Sequence, residues 1–121
     1  MVDEEKVKKL LSKLKYMYYK TELDGREVEF EEFLEGLSEG ESFKGVIHTE
    51  TEVKENNKIR DGYILIDEGE IKLVIFMGKD IYYGSEALDM IKNPDKINYT
   101  RLKESKKEEI LKKARDAGIL F

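Results

Sequence analysis

Two apolar runs joined by a short polar turn constrain the fold of this chain more than any other feature. The runs are residues 63–66 and 73–77, and Asp67-Glu68-Gly69 lies between them. Glycine readily adopts the positive φ of a tight turn, so the pattern predicts two adjacent antiparallel strands. Because almost every residue in both runs is apolar, both faces of these strands must be covered. The chain therefore needs a sheet with packing partners on each side.

The surrounding patterns supply those partners. Residues 43–49, continuing to Val53, predict a first strand, so that the centre becomes a three-stranded antiparallel meander. Apolar residues at helical spacing predict helices over residues 3–17 and 30–37, the second closing near Gly36 or Gly40. The Asp24-Gly25 pair predicts a hairpin near residues 18–28. Beyond the meander, the sequence predicts a helix from Ser85 to Ile91 and a strand over residues 97–102. A Ser105–Glu108 capping box predicts the start of a final helix, which Gly118 ends. The predicted class is α+β, an antiparallel β-meander sheet packed by N- and C-terminal amphipathic helices, in one domain over residues 1–121.

Composition narrows the class of protein. Of the 121 residues, 40% are charged and 40% are hydrophobic, which is typical of a folded globular chain. Cysteine is absent, so the sequence excludes disulfide and thiolate chemistry. No apolar run approaches the ~18 residues of a membrane span, and we expect a cytoplasmic location without membrane contact. The preference for Lys over Arg and the absence of Gln favour a thermophilic source.

The net charge of −5 is unevenly distributed along the chain. Residues 21–56 carry twelve acidic and three basic side chains, whereas residues 1–20 and 101–121 are both predominantly basic. The simplest expectation is that the terminal helices pack beside the acidic segment, so that the charges offset each other. The acidic segment also offers a docking surface for a protein partner, and the C-terminus ends in an apolar residue. The candidate docking residues are Glu27, Glu31, Glu32 and Phe121.

Basic side chains in the first and last helices indicate a second possible function. If these helices are neighbours, they present a cationic stripe beside tyrosines that can stack on bases. The candidate nucleic-acid contacts are Lys6, Lys9, Lys13, Tyr18, Lys106, Lys107 and Lys113. The isoelectric point near 5.1 argues against this function, because a negatively charged protein repels phosphate at a distance.

Residues that could carry chemistry are few. His48 is the only histidine and shares a strand face with Val46 and Glu50, and without cysteine or a second histidine we expect no zinc site. Asp61, Asp67, Glu68 and Glu70 form an acidic cluster around the predicted hairpin, which could bind a hard cation in a metal-dependent enzyme. The sequence contains no phosphate-binding glycine motif and no nucleophile elbow, so we expect no catalytic residues and no cofactor.

Glycines and core positions between Leu37 and Leu88 carry a family resemblance. The shared positions are Leu37, Gly40, Phe43-x-Gly45-Val46-Ile47, Gly62-Tyr63-Ile64-Leu65-Ile66-Asp67-x-Gly69-Glu70-Ile71 and Tyr83-Gly84-x-Glu86-Ala87-Leu88. This pattern resembles PATAN-like signalling modules and, more closely, an uncharacterised archaeal family. The resemblance implies a protein-interaction or regulatory domain and supplies no catalytic residues.

The leading hypothesis from the sequence is a small cytoplasmic protein-interaction or regulatory module without catalytic activity. Its partner would be another protein or a second copy of the chain. The alternatives are a nucleic-acid-binding protein that uses the terminal helices and, third, a metal-dependent enzyme that uses the acidic cluster of residues 61–70.

Overall fold

A computed structural model describes residues 1–39 and 43–121 of the chain. The helices are α1 (Glu4–Lys15), α2 (Phe30–Glu39), α3 (Gly84–Met90) and α4 (Glu104–Ala117), with a short 3₁₀ turn over Gly25–Glu27. The strands are β1 (Thr21–Asp24), β2 (Lys44–Val53), β3 (Lys58–Asp67), β4 (Glu70–Met77), β5 (Ile81–Tyr83) and β6 (Lys96–Arg101). They form one antiparallel sheet in the order β1-β6-β2-β3-β4-β5. The predicted α+β class and the central meander β2-β3-β4 are confirmed.

Both faces of the central strands are covered, as their apolar sequence requires. Tyr63 and Leu65 pack into a core with α1 and α4, whereas Ile64 and Ile66 pack into a second core with α2 and α3. All four side chains are almost completely buried. Successive side chains of a strand project to opposite faces, so a continuous apolar run serves both cores at once. The fold therefore has three layers, with the sheet in the middle.

Local sequence signals account for the ends of α1 and α4. The side chain of Asp3 accepts a hydrogen bond from the backbone N–H of Lys6 at the start of α1, where acidic residues also complement the helix dipole. Gly118 ends α4 in the left-handed conformation with φ of 79°, which glycine adopts without steric cost. The two terminal helices lie side by side on one face of the sheet.

The predicted hairpin at Asp24-Gly25 is wrong. Asp24 accepts a hydrogen bond from the backbone N–H of Arg26 and caps the 3₁₀ turn, while β1 pairs with the distant strand β6. Gly25 packs directly against the carbonyl of Pro94. A pairing between segments far apart in sequence has overridden the local turn preference, because it adds a strand to the sheet.

The predicted caps of α3 and α4 are also wrong. Helix α3 begins at Gly84 after Tyr83, and α4 begins at Glu104 after Lys103, with no side-chain capping hydrogen bond in either case. In α4 the first-turn pairing is an ion pair between Glu104 and Lys107 rather than a capping box. The prediction missed β5, whose three residues are too few for a periodic signal. Gly36 lies inside α2 instead of closing it, and the alternative closure at Gly40 lies outside the described residues.

The sheet separates two helical layers of different charge. Helices α1 and α4 together carry ten basic and six acidic side chains. Within the described helices α2 and α3 there are six acidic side chains and no basic one. The terminal helices were expected to pack beside the acidic segment of residues 21–56. This is wrong for the helix of that segment, α2, because the sheet lies between α2 and the terminal helices. We call the two sides the basic layer (α1 and α4) and the acidic layer (α2 and α3).

Candidate functional site

A group of polar side chains meets on the sheet face that carries the basic layer. His48 and Glu50 lie on β2, Asp61 on β3 and Asn98 on β6. Glu50 is directly opposite Asp61, and His48 is directly opposite Asn98. Residues two apart on a strand project to the same face, so the pairing register brings these four side chains together. We call them the His48 cluster.

Hydrogen bonds connect the whole His48 cluster. The Nε2 atom of His48 lies 2.7 Å from Oδ1 of Asp61. The amide nitrogen Nδ2 of Asn98 lies 3.3 Å from Nδ1 of His48 and 3.1 Å from Oε2 of Glu50. The amide nitrogen can only donate and an ionised carboxylate can only accept. In this arrangement Nε2 of His48 is placed to donate to Asp61, and Nδ1 is placed to accept from Asn98.

Two tyrosines enclose the imidazole of His48. The ring of Tyr63 is stacked on it with centroids 4.7 Å apart and an interplanar angle of 9°, and the ring of Tyr19 lies 5.4 Å away. The hydroxyl of Tyr19 donates to the carbonyl of Leu14 at 2.8 Å, which fixes the ring against α1. Burial, with a further contribution from the nearby negative charge, raises the pKa of both phenols well above the usual range. The tyrosines are therefore neutral walls of the cluster.

The environment of the His48 cluster is electronegative. Lys96 Nζ lies 2.9 Å from Glu22 Oε1 and 4.0 Å from Glu50 Oε2, so its main partner is Glu22. The cluster and its neighbour Glu22 thus contribute three carboxylates and Lys96 one ammonium group. The side chains of His48, Glu50 and Asp61 are 14%, 29% and 32% exposed, so an ion from solvent can reach them. These three side chains are the group of possible metal ligands that the described residues bring together.

The acidic cluster predicted over residues 61–70 does not assemble. Asp61 belongs to the His48 cluster. Asp67 lies six residues further along β3, where it is directly opposite Glu70 at the start of β4. A strand rises about 3.3 Å per residue, which separates Asp61 from Asp67 by about 20 Å. Asp67 is 3.0 Å from Lys107 and Glu70 is 2.7 Å from Lys72, so each of these carboxylates has its own counter-charge. The acidic residues predicted to form one cluster therefore belong to separate sites.

The residues predicted to contact nucleic acid lie on the basic layer, but they do not all face solvent. Lys6, Lys9 and Lys113 line a shallow depression between α1 and α4, and Tyr18 is exposed. Lys13 is paired with Glu109 across the two helices, and Lys106 lies 3.7 Å from the same carboxylate. Lys107 is almost completely buried, and it contacts Asp67, Glu104 and Glu108. The helices are neighbours as the prediction required, but Lys107 is a structural residue.

The residues predicted for partner docking lie in different parts of the fold. Glu27 lies in the 3₁₀ turn, and Glu31 and Glu32 lie in the first turn of α2 on the acidic layer. Phe121 follows α4, is half exposed, and donates its backbone N–H to the carbonyl of Lys72. The acidic residues and Phe121 are therefore not parts of one surface.

A cleft of about 300 Å³ opens between α2 and α3 on the acidic layer. Its lining combines an apolar floor with a charged rim, and consists of Phe30, Glu31, Leu34, Glu35, Leu88, Asp89, Ile91 and Lys92. Three carboxylates and one ammonium group thus surround the floor. No sequence signal indicated this cleft, because α2 and α3 are separated by four strands and meet only in the folded chain.

The fold and these sites define an α+β protein with an antiparallel six-stranded sheet between helical layers of opposite charge. The sequence profile of the family described as CO dehydrogenase beta subunit/acetyl-CoA synthase epsilon subunit matches residues 4–111. The chain belongs to this family. No curated protein and no solved structure matches the chain.

The family assignment corrects several predictions. The resemblance to PATAN-like modules and an uncharacterised archaeal family is wrong, since the matching family is a named one. The hypothesis of a free regulatory module and its nucleic-acid-binding alternative are also wrong, because the family consists of subunits of an enzyme complex. The alternative of a metal-dependent enzyme that uses residues 61–70 is wrong because that acidic cluster does not assemble. A protein partner is consistent with that family. Among the described residues, no helix is long and apolar enough to cross a bilayer.

Proposed function

We propose that this chain is a non-catalytic subunit of a multi-subunit complex of the CO dehydrogenase/acetyl-CoA synthase type. The observation that carries the proposal is the family match, which extends over residues 4–111 and so includes all six strands and most of α4. The chain's role in such a complex is to bind a larger subunit through a defined surface. The other subunits of the complex then supply the catalytic chemistry.

The acidic layer is the surface that best fits a protein partner. The cleft between α2 and α3 has an apolar floor that includes Phe30, Leu34 and Leu88, and it is rimmed by Glu31, Glu35 and Asp89. Protein interfaces commonly combine a desolvated apolar centre with a polar rim. The partner that fits this surface inserts an apolar side chain into the cleft and surrounds it with Lys or Arg.

Charge supports the choice of the acidic layer over the basic one. The α2 and α3 carboxylates Glu31, Glu35 and Asp89 are absent from the ion pairs among the described residues, so they are available to a partner. On the basic layer, by contrast, Lys13 and Lys107 are already paired within the chain. Complementary charge at an interface raises the association rate and selects the partner.

The proposal is tested by recovering the tagged chain from its own host cells at moderate salt and identifying stoichiometric partners by mass spectrometry. We expect a CO dehydrogenase or acetyl-CoA synthase subunit in the recovered complex. Recovery of the chain as a stable homodimer without such a subunit would contradict the proposal. So would CO oxidation or acetyl-CoA synthesis by the purified chain alone.

Charge-reversal variants locate the docking surface. The double variant Glu31→Lys/Glu35→Lys is expected to weaken the complex by about a hundredfold, because it places like charges against the partner's basic groups. The matched control Lys9→Glu/Lys113→Glu reverses two charges on the opposite layer and should leave the affinity within about threefold. Equal losses in both variants would show that docking does not use the acidic layer. Circular dichroism of each variant verifies that it is folded.

A further inference from the structure

We propose that His48, Glu50 and Asp61 form a binding site for one divalent transition-metal ion of the Zn²⁺ type. The site goes beyond the subunit role, and no reaction is assigned to it. One imidazole nitrogen and one oxygen from each carboxylate lie within 4.8 Å of one another. A tetrahedral zinc site with bonds of about 2.1 Å places its ligand atoms about 3.4 Å apart. Small side-chain rotations are therefore enough to close the site.

The backbone already holds the ligands in position. His48 and Glu50 are two residues apart on β2, and Asp61 is directly opposite Glu50 on β3, so all three originate from neighbouring, hydrogen-bonded strands. The stacked ring of Tyr63 limits rotation of the imidazole on one side. Ligands on paired strands lose little conformational freedom when the ion binds. Three protein ligands leave a fourth position for water, as is common in open zinc sites.

The charge of the site suits a divalent cation. The nearby ionised groups are the carboxylates of Glu22, Glu50 and Asp61 and the ammonium group of Lys96. The three carboxylates and one ammonium group leave two negative charges uncompensated, and the two tyrosines add none. Lys96 is held mainly by Glu22, which keeps its ammonium group from occupying the space between the three ligands. A single imidazole beside two carboxylates favours Zn²⁺ over Ca²⁺ or Mg²⁺, which prefer oxygen ligands alone.

Asn98 provides the hydrogen bond that a metal-bound histidine requires. Nε2 of His48 lies 2.7 Å from Oδ1 of Asp61, and Nδ1 lies 3.3 Å from the amide nitrogen of Asn98. An ion bound at Nε2 requires the neutral imidazole to carry its proton on Nδ1. Rotation of the Asn98 amide by 180° then presents its oxygen to the Nδ1–H, the usual support for a metal-binding histidine. The same rotation removes the Asn98 donor from Glu50 and frees that carboxylate for the ion.

A single histidine without cysteine predicted no zinc site, because zinc sites commonly combine several histidine or cysteine ligands. The carboxylate of Asp61 lies thirteen residues from His48 in sequence and Asn98 lies fifty residues away. Only the strand register places them around the imidazole. The one sequence signal for this site was that His48 and Glu50 share a strand face.

Isothermal titration of the folded chain with ZnCl₂ tests the proposal. We expect one ion per chain, with affinity at least tenfold lower in each of His48→Gln and Asp61→Asn and about tenfold lower in Asn98→Leu. The matched control Glu52→Gln removes an exposed carboxylate two residues further along β2 and should bind as the parent chain does. Absence of saturable binding, or equal binding by His48→Gln and the parent, would overturn the proposal. A loss in Glu52→Gln as large as that in Asp61→Asn would also overturn it, because the ion would then bind acidic surface in general.

Nitrogen NMR of the single imidazole gives an independent readout. Without metal, the proton is expected on Nε2, and with one equivalent of Zn²⁺ it is expected on Nδ1. The melting temperature should also rise with ZnCl₂ concentration, since the ion binds the folded state. Unchanged imidazole nitrogen shifts in a zinc-saturated sample would exclude His48 as a ligand. Circular dichroism of the variants separates lost binding from lost folding.

Discussion

The Nζ atom of Lys107 lies 3.0 Å from Oδ2 of Asp67, and this ion pair fastens the first turn of α4 to the end of β3. The side chain of Lys107 is only 5% exposed, and Glu104 and Glu108 are its other partners. The hydrogen bond to Glu104 contributes most to raising the pKa of the ammonium group. Burial lowers this pKa, but the hydrogen bonds to Asp67 and Glu108 raise it further. Asp67 is itself mostly buried, and its second oxygen Oδ1 has no partner among the described residues. The chain therefore depends on Lys107 to compensate a carboxylate at the edge of its core.

Replacement of Lys107 by Met should destabilise the fold. The substitution preserves much of the side-chain volume but leaves the Asp67 carboxylate without its counter-charge. We expect the free energy of unfolding to fall by about 3 kcal/mol, the cost typical of removing one partner of a buried pair. Urea denaturation measures this change. Lys106→Met, one position earlier and only partly buried, is the control and should change stability by less than about 0.5 kcal/mol. Similar losses in both variants would contradict the structural role of Lys107.

The stability of the protein should decrease in acid partly through Glu104. Hydrogen bonds from Lys107 and then Lys44 lower the pKa of this carboxyl to about 2. A carboxyl whose pKa is lower in the folded state stabilises the protein above its unfolded pKa of about 4.5 and loses that contribution as the pH falls towards 2. Thermal denaturation between pH 2 and 6 should therefore show a weaker pH dependence for Glu104→Gln than for the parent chain. An identical pH dependence would indicate that Glu104 does not keep its ion pairs in solution.

Two glycines should respond to alanine in opposite directions. A Cβ on Gly25 would collide with the backbone carbonyl of Pro94, whereas a Cβ on Gly36 would meet no neighbouring atom. We expect Gly25→Ala to destabilise the protein by at least about 2 kcal/mol, because backbone must move to admit the methyl group. Gly36→Ala, inside α2, should stabilise it by about 0.5–1 kcal/mol through helix propensity. Chemical denaturation of both variants tests the prediction. A neutral Gly25→Ala would show that the 3₁₀ turn does not pack closely on the segment before β6.

The C-terminal tail should contribute to folding through Ile119 more than through Phe121. Ile119 is 4% exposed and belongs to the core beneath α1 and α4, whereas Phe121 is 51% exposed. Ile119→Ala is expected to cost about 2–3 kcal/mol of stability, and Phe121→Ala less than about 1 kcal/mol. The melting temperatures of the two variants measure the difference. A larger effect from Phe121→Ala would mean that the aromatic side chain, rather than Ile119, anchors the tail.

Much of the fold was predictable from local sequence. The periodicity of residues 3–17 gave α1 to within two residues at each end, and the apolar runs with their turn gave the β3–β4 hairpin. Local predictions failed where a distant segment changed the outcome. The Asp24-Gly25 pair became a 3₁₀ turn because β1 found β6, and β5 formed because β4 offered an unpaired edge.

The candidate sites were less predictable than the fold. His48 and the acidic residues of α2 were visible in sequence, but the partners of His48 depend on the registers of β2 with β3 and β6. A shift of one residue in either register would turn Asp61 or Asn98 to the opposite face. The cleft likewise requires α2 and α3 to pack on the same side of the sheet.

The sequence by itself determined that strands β3 and β4 would be buried on both faces, because their apolar side chains leave no face for water. It also determined where charge is concentrated along the chain. Only the tertiary structure decided that the sheet would separate the acidic layer from the basic layer and that Lys107 would be buried beside Asp67. The physical reason is that helical periodicity defines which face of a helix is apolar, but not which side of a two-sided sheet that face will cover.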